Sequence, residues 1–380
     1  MIHRIAIKGY KSLDVDFTLD PEVTVLVGRS GTGKSNIVEA LRFFRSLIRN
    51  GGTRNISEWC SIYDIWAQPK PSDSYRLKFL VEYVVPTFSE HFKYEVCVNI
   101  DERGGEFIDN ESLKIGDQTI LSREGMGRDE LPNVSGIPRL IACDLALPML
   151  HGIREASFAF LALADSIGIY DFPLGIGKSM PQEQPTCKGL TDNGSNFRAV
   201  LDEIRADMSR ITAWDDINAA LQHLNPSISS VDMTALRGGD MLVTHRFGET
   251  LGAFPVEQES EGCRRFLVHL LALYQTPPKQ TLVFEEPENG IHPGALQLLA
   301  DEFKAAPVAK RGQVILTTHN PALLDFFAPE SIRIVEMDNF RTKVSPLNER
   351  QLKAIQEDLI APGEYLMFSG LYSNAESVGE

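Results

Sequence analysis

The chain has 380 residues, of which 43% are hydrophobic and 23% are charged, and this composition is typical of folded globular proteins. A formal net charge of −15 at pH 7 argues against a uniformly basic surface for nucleic acid, although a local basic groove stays open. No apolar run reaches the roughly 18–20 residues of a membrane span, and the first residues lack a secretory signal pattern, so we expect a cytoplasmic protein without membrane contact.

The first predicted elements are strands on either side of one glycine-rich turn. Residues 2–9 and 22–27 have the apolar pattern of strands, and the second strand leads through the turn into a helical pattern over 37–47. Between residues 76 and 121, several strand-like pieces separated by turn residues predict an antiparallel meander. We therefore expect a strand, a loop and a helix, followed by an antiparallel sheet.

The middle of the chain, residues 150–225, has a mainly helical pattern. Amphipathic spacing is clearest over 197–208 and 217–224. The segment 175–179 reads Gly-Ile-Gly-Lys-Ser, but Phe172 stands where a phosphate-binding loop would have its first glycine. We interpret that segment as an ordinary loop and the whole region as a helical insertion.

The last third of the chain has the element order of a parallel sheet. Strand patterns over 230–236 and 241–247 flank residues with the composition of a hairpin turn. Two apolar strands, 281–284 and 313–316, are then joined by a helical stretch, which is the βαβ order. Because ligands of open α/β sheets bind outside the carboxyl ends of the strands, we look for functional residues there.

The clearest motif is the segment 28–35, which fits the Walker A pattern G-x-x-x-x-G-K-[ST] in full and lies between a predicted strand and a predicted helix. Glycines let backbone N–H groups turn toward phosphates, and the helix N-terminus adds partial positive charge. Lys34 would reach the β and γ phosphates, and the Ser35 hydroxyl would bind Mg²⁺. A glycine-rich turn without a ligand would leave both residues unexplained. The predicted ATP-binding residues are Gly28, Ser30, Gly31, Thr32, Gly33, Lys34, Ser35 and Asn36.

A second motif is the apolar strand that ends in Glu285 and Glu286. P-loop ATPases hold Mg²⁺ and polarise the attacking water at such a strand end. We expect Glu285 to contact Mg²⁺ through water and Glu286 to act as the general base. The alternative is a solvated pair of glutamates at a strand exit.

Two further candidates lie beside predicted helices and strands. Ser260 and Gly262 precede a helix and would form an anion site, yet the phosphate site of the same chain already belongs to Lys34. A second phosphate cradle therefore needs the nucleotide of another chain, unless Ser260 is only a helix cap. His319 follows the last apolar strand and would either contact a γ-phosphate or fill a cap.

The order of these motifs resembles that of the ABC-type ATPases related to SMC, RecF and OLD proteins. It is especially similar to the short stand-alone AAA family ATPases of bacteria, many of which occur in phage-defence, retron and toxin-type operons. The likeness covers nearly the whole chain. It rests on Gly9-Tyr10-Lys11-Ser12, the Walker A loop with Asn36, residues 192–196, Ser260-Glu261-Gly262, residues 285–293 and Thr318-His319-Asn320.

The resemblance implies an α/β fold: an ABC-type P-loop NTPase head with an antiparallel β meander and a helical insertion between the Walker A loop and the signature motif. The expected parts are ATPase lobe I at 1–149, the helical insertion at 150–225, ATPase lobe II at 226–345 and a C-terminal tail at 346–380. The resemblance also assigns residue roles. Ser260 and Gly262 look like the signature that faces the partner's ATP in a homodimer, and Glu286 looks like the catalytic base. Residues 289–292 look like the D-loop, and His319 looks like the switch histidine.

The sequence departs from the pattern of this group at three places. Glu285 replaces the usual metal-binding aspartate, a change that we expect to alter metal geometry and slow hydrolysis. The signature reads Ser-Glu-Gly-Cys instead of the more typical Ser-Gly-Gly. Arg29 and Ser30 replace the usual Pro-Asn of the loop, a change that we expect phosphate binding to tolerate. For the Q-loop glutamine, the sequence offers only Gln68 as a candidate.

These expectations favour an ATPase that acts through ATP-dependent dimerisation, as the sensor or regulatory subunit of a phage-defence or DNA-repair system. Lys34 and Ser260 are 226 positions apart, which the family resemblance implies is too far for a transporter ATPase, and no heptad coiled coil is visible over 150–224. Only 61 residues follow His319, too few for a Toprim nuclease, so we expect a separately encoded effector. The alternative is an ATP-bound scaffold or inhibitor with little turnover. Direct DNA repair, with nucleic acid as a partner, stays open.

Overall fold

The computed structural model describes residues 1–53, 75–100, 106–124, 143–178, 189–207, 209, 211–233 and 241–368. The strands are β1 Ile2–Lys8, β2 Asp14–Thr18, β3 Val23–Val27, β4 Tyr75–Val84, β5 His91–Ile100, β6 Glu106–Ile115, β7 Gln118–Glu124, β8 Ile167–Tyr170, β9 Ile228–Met233, β10 Met241–Phe247, β11 Thr250–Pro255, β12 Thr281–Glu285, β13 Gln313–Thr318, β14 Ile332–Asp338 and β15 Arg341–Pro346. The helices are α1 Lys34–Arg49, α2 Arg154–Ala164, α3 Phe197–Ala206, α4 Ile211–Leu224, α5 Glu261–Tyr274, α6 Leu296–Val308, α7 Pro321–Leu324, α8 Glu349–Gln356 and α9 Pro362–Phe368.

The chain divides into two compact units. The first unit contains Met1–Ile167 and Pro329–Ile360, and the second contains Gly168–Ala328 and Ala361–Phe368. The four-part division that the motifs suggest stays a prediction.

The first unit contains a six-stranded sheet in the order β2-β1-β4-β5-β6-β7. All neighbouring strands pair antiparallel, and β4 to β7 follow one another along the chain, so the predicted meander is confirmed. Because successive side chains of a strand point to opposite faces, β4 buries the alternate residues Phe79, Val81 and Tyr83.

Helix α1 covers this sheet with an apolar face. Ile37, Leu41 and Phe44 recur at helical spacing and are almost fully buried. The Phe44 ring lies 5.2 Å from the ring of Phe79 and 6.2 Å from that of Tyr94. This packing fixes the helix that begins at Lys34.

Strand β3 is buried along its whole length, as expected of a strand covered on both faces. It pairs in parallel with β14, with Val25 opposite Ile332, and β14 pairs antiparallel with β15. The β14–β15 hairpin therefore belongs to the same sheet as β3, the strand that leads into the Walker A loop.

The second unit contains the predicted βαβ segment. Strands β12 and β13 are parallel, with Glu285 opposite Thr317, and α6 connects them. Strand β8 neighbours β12 in the sheet order and falls within the region that we expected to be mainly helical. Its four residues are all buried, and an apolar run this short cannot be told from a helix by periodicity.

A three-stranded antiparallel sheet in the order β11-β10-β9 also belongs to the second unit. The predicted pairing of the strands around 230–236 and 241–247 is confirmed, while the turn at 237–240 lies outside the described residues. Strand β11 was not predicted. A two-residue turn at Gly248 and Glu249 connects it to β10, and most of its side chains are exposed, so it lacks an apolar pattern.

The core of the second unit forms around α5, which is buried along nearly all of its length. The ring of His269 lies 4.9 Å from that of Phe172, 5.6 Å from that of Phe284 and 6.1 Å from that of Phe303. In the part of the chain that the structure describes, no helix combines the length and the apolarity needed to cross a membrane.

Candidate functional site

The Walker A loop runs from the end of β3 to the start of α1 in the first unit. Two of its glycines sit where a side chain would collide with neighbouring atoms. A Cβ on Gly28 would lie 2.2 Å from the carbonyl oxygen of Val335, and one on Gly33 would lie 2.1 Å from Oγ1 of Thr342. Gly31 and Gly33 also have positive φ angles of 82° and 101°, which L side chains rarely adopt. The loop thus needs glycine at these positions.

The N-terminus of α1 faces this loop without a side-chain cap. The N-cap residue is Gly33, which has no side chain to cap the helix, and the first turn contains no acidic residue. The first backbone N–H groups of a helix have no partner within the helix and carry partial positive charge. The loop and the helix start therefore form a cradle whose chemistry fits a phosphate group.

Lys34 and Asn36 make defined contacts at the helix start. The Lys34 ammonium is buried and donates to the carbonyl oxygens of Gly28 at 2.7 Å and Arg29 at 3.0 Å, so it lies along the loop. The side-chain amide of Asn36 donates to Oγ of Ser12 at 2.8 Å. The predicted phosphate-binding residues therefore lie together, but the Asn36 amide bonds to the protein behind the loop.

The second unit holds the two glutamates at the end of β12. The backbone N–H of Glu286 donates to the carbonyl oxygen of Thr317 at 3.1 Å and lies 3.2 Å from Thr317 Oγ1. Glu286 has a φ of 42°, which is uncommon for a residue other than glycine. These bonds turn the chain sharply after Glu285 and fix the backbone from which the Glu286 side chain extends.

Glu286 and His319, predicted from separate motifs, are in direct contact. The distance between Glu286 Oε1 and His319 Nδ1 is 2.9 Å, and Glu286 Oε2 accepts from the Asn289 amide at 3.0 Å. The Glu286 side chain is 31% exposed and the His319 side chain is 54% exposed, so both are partly open to solvent. The contact orients a carboxylate that still has lone pairs available for a water molecule.

A third glutamate, Glu288, connects the same two loops and was missed by the sequence reasoning. It is 5% exposed, and its Oε1 accepts from the Thr318 hydroxyl at 2.5 Å, while that hydroxyl accepts from the Asn320 N–H at 3.0 Å. Burial raises the pKa of the Glu288 carboxyl, and the Thr318 hydroxyl opposes this shift. Its position two residues after Glu286 is the only sequence signal that could have identified it.

Ser260 is the N-cap of α5, because its side chain accepts from the backbone N–H of Cys263 at 3.2 Å. The cap that we considered as an alternative is thus present, and the role of Ser260 across a dimer stays a prediction. A Cβ on Gly262 would lie 3.1 Å from the carbonyl oxygen of Gly290, so the predicted signature packs against the predicted D-loop. Ser260, Gly262 and His292 line a cavity of about 500 Å³.

Cys263, the unusual last residue of the signature, is 7% exposed, and burial raises its pKa to about 12. Its thiol therefore belongs to the core of the second unit.

The segment that begins at Gly175, which resembles a phosphate-binding loop, is a turn, as expected. The Lys178 N–H donates to the carbonyl oxygen of Gly175 at 3.0 Å.

Ser35 is exposed and Glu285 half-buried, so both predicted Mg²⁺ contacts present oxygen atoms that can be reached. The described residues contain no group of three or more His, Cys, Asp or Glu side chains that could hold a metal ion. A Mg²⁺ ion at Ser35 would take further ligands from phosphates and water, which is its usual behaviour in nucleotide sites. The Q-loop candidate Gln68 lies outside the described residues.

The Walker A residues thus belong to the first unit, whereas Glu285, Glu286, His319, Ser260 and Gly262 belong to the second. The structure brings together Glu286 with His319 and the signature with residues 289–292. The roles assigned to all of these residues stay predictions.

Comparisons with known proteins agree with this architecture. A family model described as "AAA domain, putative AbiEii toxin, Type IV TA system" matches residues 23–325. No curated protein matches the chain. A solved SMC head bound to the C-terminal winged-helix domain of ScpA is similar in fold, with a TM-score of 0.59, 16% identity and coverage of 93% of this chain and 99% of that chain.

A second similar structure is an SMC head with an extended coiled coil bound to the C-terminal domain of ScpA from Pyrococcus furiosus. Its TM-score is 0.54 at 14% identity, and the match covers 94% of this chain and 99% of that one. These likenesses show a shared fold. They confirm the predicted α/β fold class, an ABC-type P-loop NTPase head of the SMC kind.

Proposed function

Because the chain belongs to this AAA-domain family and has the SMC-head fold, we propose that it binds ATP with Mg²⁺, hydrolyses it and acts through ATP-dependent dimerisation. The observation that carries the proposal is the Walker A loop. Its Gly28 and Gly33 positions leave no room for a Cβ, and the loop leads into a helix start without a side-chain cap. That combination supports phosphate binding better than any other role.

The loop residues would hold the phosphates. Backbone N–H groups of the loop and the first turn of α1 would donate to phosphate oxygens, and Lys34 would place its charge against the β and γ phosphates. Ser35 and Glu285 would hold Mg²⁺, which neutralises phosphate charge when bound. This assignment to one nucleotide rests on the family resemblance.

Glu286 would accept the proton of the attacking water. Its carboxylate is oriented by two hydrogen-bond donors, His319 on one oxygen and Asn289 on the other, and it is open enough to meet a water molecule. His319 would hold this carboxylate in place and contact the γ-phosphate.

The dimer part of the proposal concerns Ser260 and Gly262. They lie at the N-terminus of α5, which is a favourable place for an anion, and the phosphates of their own chain are assigned to the Walker A loop. We therefore infer that they face the nucleotide of a second copy in an isologous dimer.

The family description names a type IV toxin–antitoxin system, and the similar SMC heads were solved with bound ScpA domains. These findings support a role as the sensor or regulatory subunit of a phage-defence or DNA-repair system, with a separately encoded effector. A second candidate function is an ATP-bound scaffold or inhibitor of that effector. It is favoured by Glu285, whose longer side chain replaces the metal-binding aspartate of the group.

Two measurements on the purified chain test the proposal, namely ATP affinity by calorimetry and phosphate release with Mg²⁺. Steady release supports the enzyme, tight binding without release supports the scaffold, and no binding refutes both. Lys34→Ala should abolish binding and keep the fold, because it removes the ammonium group that would pair with the phosphates. Lys178→Ala is the matched control, since this exposed lysine lies in the look-alike turn and should leave affinity unchanged.

A further inference from the structure

A chain of side-chain hydrogen bonds lies behind the Walker A loop, and each of its donors can be assigned. The Asn36 amide donates to Ser12 Oγ at 2.8 Å, and the Thr342 hydroxyl donates to the carbonyl oxygen of Thr32 at 2.9 Å. The two hydroxyls of Ser12 and Thr342 are 2.7 Å apart. Since a hydroxyl has only one proton, Ser12 must donate to Thr342. The relay therefore runs from Asn36 through Ser12 and Thr342 to the loop backbone.

Thr342 is the central member of this relay. It lies on β15, is fully buried and donates its backbone N–H to the carbonyl oxygen of Ser12 at 2.7 Å. Its Oγ1 also fills the space that a Cβ on Gly33 would need, at 2.1 Å. One threonine thus contacts the loop twice, by a hydrogen bond to residue 32 and by close packing against residue 33.

The relay joins parts of the chain that are far apart in sequence. Ser12 and Thr342 are 330 positions apart, yet Thr342 contacts the loop and Ser12 contacts the first turn of α1 that follows it. Because the conformation of the loop determines where its N–H groups point, atoms that fix its carbonyl at residue 32 also fix the phosphate cradle.

We propose that Thr342 and Ser12 are positioning residues that hold the Walker A loop in its phosphate-binding conformation. This inference rests on the proposed nucleotide binding and adds two residues to it. Neither residue would touch the nucleotide. They act through Thr32 and Gly33, and through the Asn36 side chain at the start of α1.

A purely structural role would depend on packing volume, whereas a positioning role depends on the hydroxyl. Thr342→Val keeps the volume and removes the donor to Thr32, while Thr342→Ser keeps the donor and removes only a methyl group. Thr24→Val is a matched control. Thr24 is also a fully buried threonine of the first unit, and its hydroxyl accepts from Asp20 N–H near the start of β3, whereas the loop follows the other end of that strand.

The test is calorimetric titration of the full chain with Mg-ADP, with thermal unfolding measured in parallel. Losing the hydrogen bond that holds the half-buried Thr32 carbonyl should weaken ADP affinity about tenfold in Thr342→Val. Thr342→Ser should bind within about twofold of wild type, and Thr24→Val should lose thermal stability but keep its affinity. Ser12→Ala breaks the same relay from the other side and should also weaken binding, which covers the case in which Thr342→Val does not fold.

The outcomes separate this inference from the proposed function. If wild-type protein binds ADP and both Thr342→Val and Ser12→Ala bind it equally well, the positioning role is wrong and nucleotide binding stands. If Thr342→Ser loses as much affinity as Thr342→Val, packing explains the effect and the inference is also wrong. If wild-type protein binds no nucleotide, the proposed function fails and the positioning role fails with it.

Discussion

Replacing Glu286 with glutamine changes one atom in the proposed base and is the sharpest test of its role. In the structure Glu286 accepts from His319 Nδ1 and from the Asn289 amide. A glutamine can keep its oxygen on Asn289 and turn its NH₂ group toward His319. The imidazole can adapt by moving its proton from Nδ1 to Nε2, so neither contact has to be lost.

The Glu286→Gln variant should therefore fold and bind ATP like wild type but lose the ability to accept a proton. General-base catalysis typically contributes about 10²–10⁴-fold, so phosphate release should fall by that factor. Because ATP would persist, the proposed dimer should accumulate. Single-turnover phosphate release, ATP titration and light scattering measure the three effects. Glu203→Gln is the control, since this exposed glutamate on α3 belongs to the same unit and should leave turnover unchanged.

Undiminished hydrolysis in Glu286→Gln would assign the base elsewhere. A parallel loss of ATP affinity and hydrolysis would instead mean that the carboxylate supports binding, because removal of a base alone lowers the rate without weakening the ground-state complex.

Two further predictions test the dimer and the core. A Lys34→Ala chain keeps its signature and a Ser260→Arg chain keeps its Walker A loop, and each variant alone should be inactive. In an equal mixture with random subunit exchange, half of the dimers contain one chain of each kind and so have one intact site. The mixture should therefore regain about a quarter of wild-type phosphate release. Silence of the mixture, with a wild type that stays monomeric in saturating ATP, would contradict the shared site. Burial lowers the pKa of His269 from 6.5 to about 3, so the unfolded chain binds a proton in this range and the folded chain does not. Stability should fall as the pH drops, by about 2 kcal/mol between pH 7 and 5 in urea unfolding, and His269→Phe should remove this part of the pH dependence.

The Walker A loop could be predicted from sequence because its requirements are local. The glycine positions, the lysine and the following helix lie within a few residues of one another, and the same short segment carries the strand and helix signals around it. The meander and the βαβ segment were predictable for the same reason, since each depends on neighbouring periodic segments. Strand β8 was missed because four apolar residues have no distinctive period.

The supporting residues could not be predicted, because their roles depend on contacts between distant segments. Thr342 lies on an edge hairpin whose sequence shows only a strand pattern, and its bond to Ser12 depends on the pairing of β14 with β3. Glu288 reads as a surface glutamate in a polar stretch. Glu288 is buried because β12 pairs in parallel with β13, and this pairing sets Thr318 next to the turn after Glu286.

The two candidate functions, ATPase and ATP-bound scaffold, would differ in the Mg²⁺ site at Glu285 rather than in the proposed base, Glu286. Glu286 is already held by His319 and Asn289, and each of its oxygens keeps a lone pair for water, so nothing in its surroundings argues against proton transfer. Glu285 is the residue that departs from the group, and its extra methylene would shift the carboxylate outward from the strand end. Slow turnover in wild type would therefore have a different cause from slow turnover in Glu286→Gln. The first would respond to the identity and concentration of the divalent ion, because the ion completes the charge balance around the phosphates, whereas the second would not.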